Sequence, residues 1–329
     1  MTRRSSKNQP LPSDRSVTAS EQTGSGRRES SPRTRFDRVV VIVNPNSARD
    51  AAGVARRFQR EMRERLPGLE VVLRETERAG HAADMAREAA RQGHPLIVSV
   101  SGDGGYNEVV NGLMQAGNPR ATSVVMAAGN ANDHSRATQE RPLADAVVAG
   151  DIVRMDLLRL IVTSYPTDGG YTQTRYAHSY IGVGFTPVVA ADLEKGGKGW
   201  LRELGSVVRT FSRFRHFEIQ LPASEPIHVD SLLFANISNM AKVAKLSENG
   251  NPGDGRFEVV TIPHQPKWRI LATALKAATV GLGRQPTARR YCVTALTPMP
   301  LQIDGEIVNV NHGDLVRVDI APAALPTIR

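Results

Sequence analysis

PLIVSVSGDGG (95–105) is an apolar run that ends in a glycine-rich turn. It reads as a buried strand that delivers the turn to one edge of a sheet. The residues that follow, EVVNGLM (108–114), open a helix. The same alternation runs outward on both sides. VVVIVNP (39–45) is a β-branched strand stopped by Asn-Pro, residues 50–66 are helix-like, LEVVLRE (69–75) is a second strand, and GHAADMAREAARQ (80–92) is an Ala-rich helix. TSVVMAAGNAND (122–133) supplies a fourth strand and a second polar turn. Apolar strands alternating with helices predict an α/β fold, a doubly wound parallel sheet covered on both faces.

The pattern changes after about residue 155. MDLLRLIVT, YTQTRYAHSYIGVG, FEIQLP, IHVDSLLFANISN, RFEVVTIP, RYCVTALT, LQIDGEIV and DLVRVDIA are short strands separated by polar turns. They predict a second, mainly antiparallel β domain, with helices inserted near 198–215 and 266–281. The expected division is a basic disordered tail over 1–35, an α/β domain over 36–157 and a β-rich domain over 158–329. The last strand either stays in the β-rich part or returns to the first domain.

The chain has 329 residues, 40% hydrophobic and 23% charged, ample for a buried core. No apolar run is long enough to span a membrane. The opening MTRRSSKNQPLPSD has no apolar segment behind it and does not read as a secretory signal. Cys292 is the single cysteine, which excludes an internal disulfide and fits a reducing cytoplasm. A net charge of +9 suits nucleic acid, anionic membrane or phosphorylated ligands. With 5% aromatics and no basic-aromatic RNA motif, nucleic acid is not the expected partner. The eight histidines show no HxxxH pairing, and none is assigned to a metal.

Ser101-Gly102-Asp103-Gly104-Gly105-Tyr106-Asn107-Glu108 lies between strand and helix. Glycines let backbone approach a phosphate closely, and the helix offers free N–H groups and the positive end of its dipole. A carboxylate there repels phosphate unless a metal or a proton transfer employs it, which makes Asp103 a candidate for either. An ordinary Asp-Gly turn is the plainer reading of the octet taken alone. The next strand ends in Ala128-Gly129-Asn130-Ala131-Asn132-Asp133. Two such turns after neighbouring parallel strands form one crevice at the carboxyl edge of the sheet, where doubly wound folds bind ligands. No Walker-type phosphate loop is present. Near the other end, Asp304 and Glu306 have the i, i+2 spacing that puts both carboxylates of a regular strand on one face. A hairpin turn is the plain alternative.

Taken together, these residues resemble the diacylglycerol kinase catalytic-domain family, which includes bacterial lipid kinases and sphingosine kinases. The resemblance spans about 38–320 with its motifs in order. Asn44-Pro45-Asn46-Ser47 is similar to NPxSG, and Thr76 through Gly80-His81-Ala82 to a T…GHA segment. SGDGGYNEVVNGLM is similar to GGDGTxNEVVNGL, with Ser101 for the first Gly and Gly105 for Thr. AAGNANDHSRA (127–137) is similar to PLGTGNDFARA, with Asn130 for Thr and Ala131 for Gly. Asn251-Pro252-Gly253-Asp254-Gly255 resembles the segment carrying a DG turn, and Gln302-Ile303-Asp304-Gly305-Glu306 a near-terminal DGE.

The resemblance implies an ATP- and Mg2+-dependent kinase that phosphorylates a lipid hydroxyl, with the α/β domain holding ATP and the β-rich domain the lipid. Asn44, Ser47, Thr76, Gly102, Asp103, Gly104, Gly105, Asn107, Gly129, Asn130, Asn132 and Asp133 form the implied nucleotide site. Glu108 belongs to it or caps a helix. Glu306 is the favoured proton acceptor, with Asp304 as metal- or phosphate-side partner, or the reverse; Asp103 is a catalytic alternative. Asp254, with backbone carbonyls near Asn251 and Arg256, is the implied structural magnesium site. An amphipathic stretch over 199–215 and Lys267-Trp268-Arg269 either belong to the core and solvated surface or meet a membrane, so the protein is expected in the cytoplasm, with peripheral membrane attachment an option. The other functions in play are a soluble-substrate kinase resembling NAD kinases and a catalytically impaired nucleotide- or lipid-binding regulator, the latter motivated by Gly105, Asn130 and Ala131.

Overall fold

The computed structural model describes residues 35–47, 50–130, 132–165, 170–184, 216–240, 244–248 and 250–329. The tail over 1–34 and the amphipathic stretch over 199–215, with the helix expected there, lie outside the described residues. Residues 34–329 form one compact unit.

Four strands, β1 (Arg38–Val43), β2 (Glu70–Glu75), β3 (Pro95–Ser101) and β4 (Thr122–Ala127), make a parallel sheet in the order β2-β1-β3-β4. β3 is buried along its whole length, as its unbroken apolar run requires. Helix α1 (Ala51–Arg65) turns Ala51, Ala55, Phe58 and Met62 onto one face of the sheet, where Val39, Val41, Leu96 and Val98 meet them. Helices α2 (His81–Ala90) and α3 (Asp103–Ala116) cover the other face, packing Ala86, Val109 and Val110 against Val40, Ile42 and Ile97. The sheet is therefore doubly wound. From β1 the chain passes to β2 on one side and then to β3 on the other, so the crevice opens at the carboxyl ends of β1 and β3.

Two short helices, α4 (Asp133–Thr138) and α5 (Leu143–Ala149), lead out of β4. Beyond them lie β5 (Ile152–Ser164), β6 (Tyr171–Ala177), β7 (Tyr180–Gly184), β8 (Phe217–Gln220) and β9 (Ile227–Ala235). Next come β10 (Asn239–Met240), β11 (Ala244–Lys245), β12 (Phe257–Pro263), α6 (Lys267–Thr279) and β13 (Thr287–Ala288). The chain continues through β14 (Arg290–Ala295), β15 (Met299–Ile303), β16 (Glu306–Val310) and β17 (Leu315–Ile328). Among the described residues, eleven of these strands form one sheet whose path runs β16-β15-β7-β9-β8-β14-β17-β5-β6, with β12 on β9 and β13 on β12. Its pairings are antiparallel. Leu158, Phe234, Phe257 and Leu301 lie in its core.

The long pair β5 and β17 ties this sheet to the first. Ile152 pairs with Ile328, and Ile328 is buried among the side chains packed on α1 and β1. Leu325, Met155 and Leu157 are buried with α2 and α3.

Two expectations are corrected here. The helix expected from residue 108 begins at Asp103, so Gly104 and Gly105 form its first turn rather than a turn before it. The reason is that the first turn of a helix lacks intrahelical N–H bonds, which mutes the propensity cost of glycine. YTQTRYAHSYIGVG is two strands, broken at His178 and Ser179, whose N–H groups bond a side chain instead of a neighbouring strand.

Candidate active site

A cleft of about 310 Å3 opens at the carboxyl ends of β1, β2 and β3. Asn44, Thr76, Ser101, Gly105, Glu108 and Glu306 are among the residues that line it. The strand ends that carry them are fastened to one another. Asn44 N–H donates to the Val100 carbonyl (3.2 Å) and Thr76 N–H to that of Val43 (2.9 Å). Asn44 Oδ1 accepts the Asn46 N–H at 3.0 Å, and Ser47 N–H closes the turn on the Asn44 carbonyl (3.1 Å). Ser47 is half-buried in that turn and does not line the cleft.

Of the helices that begin at this edge, α3 supplies caps for two others, α2 and α4. Glu108 accepts the N–H groups of Gly80 (2.9 Å) and Ala82 (3.1 Å) at the start of α2. Asp103 accepts those of Asp133 (3.1 Å) and His134 (3.2 Å) at the start of α4. Both carboxylates thus satisfy orphan donors and oppose the positive helix ends. The first turn of α3 itself has no side-chain cap. Its N–H groups remain to bind an anion.

The two glycine turns touch backbone to backbone. A Cβ at Gly102 would lie 3.2 Å from Gly129 Cα, and one at Gly129 only 2.5 Å from Gly102 Cα. Asn132, in the left-handed region at φ 50°, closes the second turn: its Oδ1 accepts the Gly129 N–H (2.9 Å) and its Nδ2 donates to the Gly129 carbonyl (2.7 Å). Asp133 is buried and paired with Arg136. Asn130 is exposed. None of these three lines the cleft.

Asp304 and Glu306 part company. Ile303 pairs with Glu306, which leaves Asp304-Gly305 as a two-residue hairpin loop with φ of 47° and 100°. The alternation of a regular strand does not hold through such a turn. Asp304 is fully buried, and its carboxylate accepts the Asn107 amide (2.9 Å) and the N–H groups of His178 (2.7 Å), Ser179 (3.1 Å) and Tyr180 (2.9 Å). Glu306 is exposed and faces the cleft; a Cβ at Gly104 would lie 3.5 Å from its Oε1. The expectation that both carboxylates meet the crevice therefore fails. Asn107 is buried as well: its Nδ2 donates also to the Tyr176 carbonyl (2.8 Å), and its Oδ1 accepts from Asn111 (3.0 Å).

Behind the two glycine turns sits a buried cluster of Tyr106, His134 and His178. The His178 ring stands 4.9 Å from that of Tyr106 and 4.5 Å from that of His134. His178 Nε2 lies 3.2 Å from the Asp103 carbonyl oxygen and 3.3 Å from Asp304 Oδ2, two acceptors, which makes Nε2 the protonated nitrogen. Burial raises the Asp103 carboxyl above its ordinary value, opposed by His178 and by the N–H groups it accepts. Burial, seconded by His178, holds His134 well below 6.5, and its Nδ1 has no hydrogen-bond partner. Burial likewise pushes the Tyr106 phenol up to about 12. Nothing in the local spacing of these residues marks the cluster, because its members come from three separate segments.

The 251–256 turn lies apart from the cleft. Asp254 is exposed, and its Oδ1 accepts the Arg256 N–H at 2.9 Å; Asn251 Oδ1 accepts that of Gly253 (3.2 Å). The buried Asp156 holds the turn by accepting the Gly255 N–H (2.6 Å). Among the described residues no group of three or more His, Cys, Asp or Glu is arranged to hold a metal. No helix among them is long and apolar enough to cross a membrane.

Comparison with known proteins finds the diacylglycerol kinase catalytic domain over residues 38–160. A curated diacylglycerol kinase of Bacillus subtilis is 27% identical over 304 residues, covering 85% of this chain and 93% of that protein. One from Staphylococcus saprophyticus is 22% identical, covering 82% and 88%. A crystal structure titled as a diacylglycerol kinase from Bacillus anthracis superposes with a TM-score of 0.64 at 15% identity, over 90% of this chain and 97% of that one. The last comparison shows a shared fold.

Proposed function

We propose that this chain, a kinase acting on a hydroxyl acceptor that matches the diacylglycerol kinase catalytic domain over residues 38–160, transfers the γ-phosphoryl group of ATP to the hydroxyl of a diacylglycerol-like or sphingoid lipid. The observation that carries this reading is the meeting of two features in one cleft: the uncapped first turn of α3, and the exposed Glu306 carboxylate beside Gly104. Phosphoryl transfer asks of a protein mainly positioning, charge stabilisation and an acceptor for the hydroxyl proton.

In this reading the N–H groups of residues 103–105 hold the phosphates, and Asn44 and Thr76 bound the nucleotide. Glu306 takes the proton from the lipid oxygen as that oxygen attacks phosphorus. Asp304, with its oxygens committed to four donors, positions the hairpin that presents Glu306. Asp103 and Glu108 position the neighbouring helices and leave α3 open. Asp103 is partly desolvated already, and using it as the base would release the start of α4.

Magnesium would arrive with the nucleotide and would supply positive charge to its phosphates. The 251–256 turn does not fit a resident ion as it stands, since its single carboxylate is exposed and one oxygen is taken by its own backbone. No step is routed through it. The lipid substrate brings the protein to a membrane surface from the cytoplasmic side.

The test is transfer of labelled γ-phosphate to micellar diacylglycerol, sphingosine, ceramide and phosphatidylglycerol, with NAD as soluble control, with and without magnesium. Labelled lipid is expected. Labelled NAD alone would move the chain to a soluble substrate, and ATP binding without any product to a regulatory role. Glu306→Gln should lower turnover by about 10²- to 10⁴-fold, the usual contribution of a positioned base, with an unchanged unfolding midpoint.

A further inference from the structure

We infer that Arg78 is the side-chain clamp for the polyphosphate tail of the nucleotide, held in reserve at the rim by Asp84 and handed over when the nucleotide enters. The inference rests on the nucleotide reading above.

Among the described residues that line the cleft, Arg78 is the only cationic side chain, against the carboxylates of Glu77, Glu108 and Glu306. A triphosphate brings several negative charges to that space. Backbone N–H groups and a helix dipole supply partial charge only, and a transferring phosphoryl group calls for a full positive charge near it. A guanidinium also matches phosphate oxygens two at a time.

The base of Arg78 is fixed, while its tip is held only by exposed contacts, Nη1 donating to the Ala79 carbonyl at 3.3 Å and Nη2 to Asp84. Thr76 N–H is bonded to Val43, the Gly80 N–H to Glu108, and the Arg78 carbonyl accepts the His81 N–H at 3.2 Å. The side chain is 63% exposed and reaches Asp84, Nη2 to Oδ2 at 2.7 Å. Asp84 has a second arginine: Arg87 Nη2 stands 2.9 Å from its Oδ1. Departure of Arg78 therefore leaves Asp84 paired. An ion pair this exposed contributes little to stability, whereas a charge-assisted bond to phosphate inside the cleft is among the stronger hydrogen bonds. The exchange favours phosphate.

The experiment is calorimetric titration of the full chain with magnesium–ATP and with AMP, for wild type, Arg78→Ala, Arg78→Lys and Asp84→Asn, alongside each unfolding midpoint. Arg78→Ala should weaken ATP about ten- to hundredfold and leave AMP within about twofold, because AMP lacks the β- and γ-phosphates. Arg78→Lys should recover part of the loss, and Asp84→Asn should bind ATP at least as tightly as wild type. ATP affinity unchanged in Arg78→Ala overturns the inference, as does an equal loss for AMP. A wild-type chain that binds neither nucleotide overturns the nucleotide reading itself and this assignment with it.

Discussion

Gly102 and Gly129, 27 residues apart in sequence, meet so closely that a single methyl group on Gly129 would stand 2.5 Å from the Cα of its partner. The neighbour in the way is backbone and cannot rotate aside. Gly129→Ala must therefore push the two turns apart. The expected result is ATP affinity weakened by at least tenfold with modest loss of stability, read by titration and urea unfolding. Wild-type affinity in this variant would mean that the spacing of the turns does not matter.

Ser101 and Gly105 share one space. A Cβ on Gly105 would fall 2.7 Å from Ser101 Cβ. The related motif has glycine at the first position and threonine at the second, so the two departures compensate in volume. Gly105→Thr alone should cost about 1–3 kcal/mol by overpacking. Ser101→Gly with Gly105→Thr should return most of it. A double-mutant cycle from urea unfolding reads the coupling; strictly additive effects would contradict it.

Asp304 satisfies four donors from a fully buried position. Asp304→Ala strands all four, at about 1–3 kcal/mol for each group left without a partner. That sum competes with the whole stability of an ordinary domain. The variant should be recovered unfolded or with a sharply reduced urea midpoint, while Asp304→Asn, which keeps one acceptor oxygen, should fold. A loss below about 1 kcal/mol in Asp304→Ala would show that the network is not structural.

His134 makes stability depend on pH. Its folded value lies well below 6.5 because burial disfavours the charged ring. Above pH 6.5 both states are neutral and nothing is lost. Below it the unfolded chain takes a proton that the folded chain refuses, costing up to about 1.4 kcal/mol per pH unit. Asp103, raised by burial, acts in the opposite sense, since falling pH relieves the cost of its charge. Urea unfolding between pH 7 and 5 should show wild type losing stability and His134→Phe losing less. Equal slopes would remove His134 as the cause.

The order of strands and helices was legible because buried parallel strands announce themselves, as residues 39–43 and 95–101 do. That Gly105 and Glu306, 201 residues apart, would face one cleft at the sheet edge was legible too. What was not legible depends on turn geometry or distant partners. The spacing of Asp304 and Glu306 suggested one shared face, but positive φ at two successive residues sends Asp304 inward. Asp103 reads as a phosphate-side carboxylate and Glu108 as either that or a helix cap; both cap helices, and what the sequence hides is that those helices begin elsewhere in the chain. Arg78 carried no signal at all, being one arginine among many until the cleft is drawn around it.

The burial of Leu325 and Ile328 among side chains of the first sheet has a consequence for biosynthesis. β1 leaves the ribosome long before β17 is made, so the nascent α/β half waits with part of its apolar interior uncovered. During that interval it is a natural client for chaperones that hold exposed apolar surface, and a translation arrest upstream of residue 325 would deliver a chain whose α/β half, though fully synthesised, is unsealed.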